Sequence, residues 1–244
     1  MKDDRAEFSE QARRDAIALG QDDALNRDGL HLMREAGKHR FTYLWSWLGV
    51  PIIQVPSDVV AMQEIIWETR PDIIIETGIA RGGSAIFFAS MMQLLGRGTV
   101  IGVDIDIRAH NRDSIESHPL GHRVRLIEGS STDPEIVSTV RSMIEPGAKV
   151  MVILDSDHSY EHVKNELAAY APLVTEGQFM IVADTGLAIE TDNFTPPHGW
   201  GNGNDPMAAM DEFLQGSDRF EIDPVYNGKM LMTSSPRGYL RCVK

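Results

Sequence analysis

The stretch Ile73-Ile74-Ile75-Glu76-Thr77-Gly78-Ile79-Ala80-Arg81-Gly82-Gly83-Ser84 decides the fold of this 244-residue chain. A short apolar run ends in an acid-x-Gly turn with further glycines, and residues 83–95 then read as a helix. Glycines let the backbone turn sharply and approach a ligand, and the helix start offers free N–H groups. The spacing lacks the Lys-Ser/Thr ending of a phosphate loop, and it is not the dinucleotide G-x-G-x-x-G. It suits a nucleoside carrying an amino-acid tail, with a tight strand–helix turn as the plain structural alternative.

The same alternation continues on both sides. Apolar runs stand at Val100-Ile101-Gly102-Val103, Val124-Arg125-Leu126-Ile127, Val150-Met151-Val152-Ile153-Leu154 and Phe179-Met180-Ile181-Val182, with helical stretches near 108–117, 134–143 and 159–171. Strand and helix in alternation predict a parallel sheet with helices on both faces. Upstream, Asp58 is expected to cap a helix running to Trp67. Downstream, a Gly/Pro/Asn-rich loop at 186–206 leads to a helix from Met207 to Leu214. The runs Phe220-Glu221-Ile222, Lys229-Met230-Leu231-Met232 and Tyr239-Leu240-Arg241-Cys242-Val243 read as strands forming an antiparallel edge, with a hairpin turn at 234–238. Residues 1–57 form a polar N-terminal arm and an aromatic segment, and 58–244 the main domain. The aromatic segment (Phe41, Tyr43, Trp45 and Trp47) is either a latch over the core or a contributor to subunit contacts or an acceptor pocket.

Composition narrows the function. With 23 Lys+Arg against 36 Asp+Glu, the formal charge of −13 argues against phosphate-backbone or anionic-membrane binding. One cysteine, Cys242, excludes an internal disulfide framework and a cysteine-built zinc site, and reads as a buried strand residue. No apolar run reaches the length of a membrane span, and the start MKDDRAEFSEQARRD has no apolar signal region. A cytoplasmic protein acting on small molecules is the expectation.

In open α/β sheets ligands bind beyond the carboxyl ends of the strands. Asp104, at the second strand end, can accept the hydroxyls of a ribose. Ser130 and Ser131, at the third, can bond an adenine edge, while Thr132 and Asp133 suit a cap before Pro134. The fourth ends in Asp155-Ser156-Asp157-His158-Ser159-Tyr160-Glu161-His162, the densest titratable cluster in the chain. There Asp155 could hold a divalent metal and His158 could act as general base. Asp157 is open between a supporting role and a helix cap, and His162 reads mainly as surface. Asp184, at the fifth strand end, is the second carboxylate that a shared metal requires. In the long loop Thr185 to Pro206, Phe194 and Trp200 read as a lid contributing acceptor contacts.

Five motifs in order carry a resemblance: Trp47-Leu48-Gly49-Val50-Pro51, Glu76-Thr77-Gly78-x-x-x-Gly82-Gly83-Ser84, Asp104-Ile105-Asp106-Ile107-Arg108, Glu128-Gly129-Ser130-Ser131 and Asp155-Ser156-x-His158. Together they resemble the cephalosporin hydroxylase family, which includes rhamnosyl O-methyltransferases and has the class I S-adenosylmethionine (SAM) methyltransferase fold. The resemblance spans roughly residues 40–243. It implies a Rossmann-like α/β fold whose seven-stranded, mostly parallel sheet has an antiparallel C-terminal strand. It also implies bound SAM, a divalent metal, usually Mg²⁺, and O-methyl transfer to a small-molecule hydroxyl acceptor. Glu76, Gly78, Arg81, Gly82 and Ser84 would form the SAM loop, with Asp104, Ser131 and Asp155 completing the cofactor site. Asp155 and Asp184 would be the metal ligands and His158 the base. Relatives carry Glu-Asp where this chain has Ala183-Asp184, so Thr185 or Asp157 could substitute, or the metal could be weak or absent. Two alternatives stay open: a component of a hydroxylation or methoxylation system, and a SAM-binding partner without turnover. The aromatic segment favours a homo-oligomer.

Overall fold

The computed structural model of the chain describes residues 3–189 and 197–244. The arm forms two helices, α1 (Arg5–Gly20) and α2 (Asp23–Gly37). Asp22 caps the second by accepting from the Leu25 amide. A short antiparallel hairpin follows, β1 (Trp45–Trp47) with β2 (Val50–Ile52). The aromatic segment divides here. Trp47 packs edge-on against Phe87 and, with buried Val50 and Ile52, latches the core, whereas Tyr43, Leu44 and Trp45 are exposed.

After α3 (Pro56–Thr69) the chain alternates as its apolar runs predict. The elements are β3 (Ile73–Thr77), α4 (Gly83–Leu95), β4 (Thr99–Asp104), α5 (Ala109–Glu116), β5 (Val124–Glu128), α6 (Pro134–Ser142), β6 (Val150–Leu154), α7 (Tyr160–Tyr170) and β7 (Phe179–Val182). The described chain closes with α8 (Pro206–Gly216), β8 (Phe220–Ile222), α9 (Pro224–Gly228) and β9 (Tyr239–Cys242). Seven strands form one sheet in the order β5-β4-β3-β6-β7-β9-β8. Pairing is parallel from β5 through β7, and β9 runs antiparallel between β7 and β8. Apolar side chains alternate to the two faces, so β3 and β6 feed separate cores: Ile74 and Met151 on one side, Ile75 and Val152 on the other. The strand order reverses between β3 and β6, which opens a crevice at their carboxyl ends. Cys242 is fully buried in β9, and Asp133 caps α6 by accepting from the Glu135 amide.

Two expectations are corrected. Residues 229–232 are not a strand: Asp223 accepts from the Val225 and Tyr226 amides and Pro224 begins a helix, so the chain turns into α9 and then runs irregularly to β9. Nor does Asp58 cap a helix. Pro56 occupies the first turn, the helix starts two residues earlier, and the Asp58 side chain turns inward. There it is 2% exposed and accepts from the Thr233 hydroxyl, the Tyr239 phenol and the Ser234 amide.

Burial pushes the Asp58 carboxyl up to about 6 despite those three donors. A raised acid binds its proton more tightly folded than unfolded. Its contribution to stability is therefore complete below about pH 4 and is lost as pH rises through 6, by on the order of 3 kcal/mol. Denaturant unfolding of the parent and of Asp58→Asn between pH 4 and 7 checks this. The parent's stability relative to the variant should fall by that amount over the interval, and a pH-independent difference would contradict it.

Candidate active site

The loops after β3 and β6 touch at the crevice. Gly78 has φ +82°, and a Cβ there would lie 2.0 Å from the Asp155 carbonyl oxygen, so only glycine lets the two loops meet. The Asp155 amide donates to the Thr77 carbonyl and so fixes the second loop against the first strand. Two clefts share this junction. One of about 650 Å³ is lined by Asp104, Ile105, Ser131, His162 and Trp200 among others. The other, about 260 Å³, is lined by Tyr43, Gln54, Arg81, Ser84, His158 and Asp184 among others. Gly78, Ala80, Asp155 and Ser156 line both.

In the larger cleft, Asp104 accepts from the Ile79 and Ala80 amides and from the Asp106 amide. A carboxylate offers about four lone-pair positions, so this one braces the glycine loop and keeps capacity for a further donor. Gly82 stands at the start of α4 with Ser84 in its first turn, and exposed Arg81 contacts His110. Glu76 lies beneath the loop and lines neither cleft. It is 1% exposed, and both carboxylate oxygens lack a hydrogen-bond partner among the described residues. Burial holds its carboxyl well above the usual carboxylate range; the nearby Ser84 hydroxyl eases this, and the Asp155 and Asp104 charges add to it. Such an orphaned acid fits an ammonium group as its missing partner.

At the junction, Asp155, His158 and Asp184 bring one ligand atom each within 4.8 Å of one another. His158 Nε2 is 3.0 Å from an Asp184 carboxylate oxygen, and the Gln54 amide donates to Asp155 at 3.0 Å. Removal from water and the Asp184 charge push Asp155 up to about 8. Burial opposes charge on His158, yet Asp184 and Asp155 outweigh it and push the imidazole up to about 9. Two neighbouring carboxylates, one raised by burial and by the charge of the other, fit a divalent cation, which would balance both.

Neither substitute for the missing acid joins this cluster. Thr185 is buried and donates its hydroxyl to the Pro236 carbonyl. Asp157 accepts from the Ser159 amide ahead of α7 and lines the other cleft. Trp200 stands edge-on to His158 at 4.8 Å between ring centres, and the His198 ring lies tilted against it at 4.9 Å. Phe194 lies outside the described residues.

Gln54, Ile105 and Glu166 are not singled out as site residues by the sequence, and His162 is read there mainly as surface. Gln54 reaches Asp155 across 101 positions, and exposed Ile105 offers apolar surface to the larger cleft. His162 is half-buried: its Nε2 is 3.0 Å from the Ser131 hydroxyl and 3.0 Å from the Ser156 hydroxyl. Behind them Ser156 donates to fully buried Glu166 at 2.7 Å. The i, i+4 spacing of His162 and Glu166 on a helix is the one signal the sequence carries for that pair.

Comparison with known proteins places this geometry. The family described as "Rhamnosyl O-methyltransferase/CmcI" matches residues 39–243. The rhamnosyl O-methyltransferase of Mycobacterium tuberculosis (strain ATCC 25618 / H37Rv) is 32% identical over 216 residues, covering 83% of this chain and 82% of that protein. A solved structure of CmcI with Mg and SAM is 22% identical, with a TM-score of 0.58 over 83% of this chain and 78% of that one. The MycE methyltransferase from the mycinamycin biosynthetic pathway, in complex with Mg and SAH, is 20% identical, with a TM-score of 0.50 over 75% of this chain and 47% of that one. These structures share the fold. Among the described residues, no helix is long and apolar enough to cross a membrane.

Proposed function

Because the chain belongs to the rhamnosyl O-methyltransferase/CmcI family, we propose that it transfers the methyl group of SAM to a hydroxyl of a sugar or other polyhydroxylated natural product. The observation that carries this reading is the meeting of Asp155, His158 and Asp184 at the junction of the two clefts. The larger cleft would take the nucleoside, with Ile105 and Ser131 available to the adenine and Asp104 to the ribose hydroxyls. Glu76 faces the amino-acid tail through the Gly78–Ser84 loop. The smaller cleft, between Tyr43, Gln54 and His158, takes the acceptor.

When bound, SAM supplies an electrophilic methyl on its sulfonium, and a divalent cation, Mg²⁺ in this reading, lowers the pKa of the acceptor hydroxyl. Asp155 and Asp184 hold the cation through hard oxygen ligands. With both carboxylates so engaged, His158 would lose the ion pair that keeps it protonated, and its Nε2 would be free to take the proton of the acceptor hydroxyl. Trp200 covers the imidazole and keeps water from it. The exposed Leu44, Trp45 and Leu48 of the aromatic segment support self-association into a homo-oligomer, and the composition supports a cytoplasmic setting.

The test is release of S-adenosylhomocysteine from SAM with a panel of rhamnosides and other glycosides, with and without Mg²⁺. Release that depends on a sugar acceptor is expected. SAM binding with no release on any acceptor would favour the partner without turnover. Oxygen consumption requiring iron and 2-oxoglutarate would favour the hydroxylase component.

A further inference from the structure

Asp184 stands in the left-handed region of the backbone map. Its φ of 52° and ψ of 25° are a conformation that aspartate enters more readily than most non-glycine residues and that its surroundings here enforce. The enforcement comes from three separate segments. Ser235 accepts from the Asp184 amide through its hydroxyl at 3.2 Å, and the Ser234 carbonyl accepts from the Gly186 amide at 3.0 Å. Asp58 in turn accepts from the Ser234 amide, which ties this tail to α3.

The third segment is the N-terminal arm. Arg34, half-buried on α2, donates to the Gly186 and Ile189 carbonyls, both at 2.5 Å, across more than 150 positions of sequence. One of these carbonyls lies within the turn that follows Asp184 and the other at its end, and the guanidinium charge favours the Asp184 carboxylate. The same helix also seats on the tail. A Cβ on Gly29 would lie 2.2 Å from the Leu231 carbonyl oxygen, so α2 can approach only because that position is glycine. Helix α2 lies outside residues 39–243, the part of the chain that the family matches.

We infer that Arg34 is a positioning residue: from the N-terminal arm it holds the 184–189 turn so that the Asp184 carboxylate faces His158 and the cation site. The inference rests on the reading of Asp184 as a cation ligand. It extends that site to a helix which the family's own segment does not supply.

The test uses the full chain and its Arg34→Ala and Arg34→Lys variants, with three readouts: Mn²⁺ titration without SAM, SAM titration without metal, and amide hydrogen exchange at 184–189. Arg34→Ala is expected to keep a cooperative melt and to bind SAM within about twofold of the parent. Its Mn²⁺ affinity should fall about tenfold or more, with exchange accelerated at 186–189 and unchanged in β6 and β7. Arg34→Lys, which keeps the charge and can reach one carbonyl, should recover most of the Mn²⁺ affinity. Unchanged Mn²⁺ affinity in Arg34→Ala overturns the inference. So does equal loss of Mn²⁺ and SAM binding in both variants, the mark of general unfolding. If the parent itself binds no Mn²⁺, the cation reading fails independently, and exchange then decides. Acceleration confined to the turn upholds the positioning role, and its absence overturns it.

Discussion

Replacing His158 by Ala is expected to lower kcat by about 10²–10⁴-fold, the usual contribution of a positioned general base, while SAM affinity stays within about twofold. The separation follows from the site's layout. His158 lines the smaller cleft with Asp184 and touches the larger one only through its edge contact with Trp200. Its removal leaves the Gly78 loop, Asp104 and Ser131 where they are. Stopped-flow or endpoint measurement of S-adenosylhomocysteine, beside a SAM titration, checks both halves. Turnover that survives the substitution would remove the base assignment. A loss of Mn²⁺ affinity in step with kcat would contradict it in another way, by making the imidazole a cation ligand.

The second large effect is at Asp155. Without a cation its carboxyl is pushed up to about 8, so at neutral pH it is mostly protonated, and Asp155→Asn replaces one neutral group by another of the same shape. The variant should therefore melt within a few degrees of the parent in the absence of metal. Its activity should nonetheless collapse, because a neutral amide cannot balance a divalent charge. Loss of several kcal/mol of charge stabilisation corresponds to about 10²–10⁴-fold in rate. Calorimetric Mg²⁺ titration and turnover with and without Mg²⁺ measure this directly. A variant as active and as Mg²⁺-responsive as the parent would dismiss the role of Asp155.

What was legible in the sequence follows from how local each signal is. Short apolar runs in β3, β4, β6 and β7 announce strands buried on both faces, and the carboxylates just beyond them mark where a parallel sheet presents its site. Glu76, Asp104, Asp155 and Asp184 could be read that way because each sits within a residue or two of a run. The 229–232 stretch misled for the same reason. Its apolar residues look like a strand, but Asp223 and Pro224 start a helix just before it, and β9 already has β7 on one side and β8 on the other, which leaves it no free edge there. Asp58 misled because an acid near a helix start is usually a cap, whereas this one is claimed by Thr233, Ser234 and Tyr239 from the far end of the chain. Gln54 and Arg34 are illegible altogether. Their partners lie 101 and more than 150 residues away, and no periodicity links such positions before the sheet is assembled.

The structure also sharpens the missing acid at Ala183. That residue is buried beside β6, with its amide bonded to the Leu154 carbonyl. The third side chain beside the two aspartates is the His158 ring, kept as the base in the proposed reading, while Thr185 and Asp157 lie outside the cluster. The acidic excess of the chain thus has a specific local expression: a buried acid beneath the glycine loop without a cationic partner among the described residues, and two competing carboxylates at the ends of β6 and β7.

The most direct measurement is calorimetric titration of the full chain with SAM, with and without Mg²⁺. The account predicts saturable binding of one SAM per chain, and a separate Mg²⁺ response that disappears in Asp155→Asn. No heat on SAM addition, at concentrations well above micromolar, would contradict it.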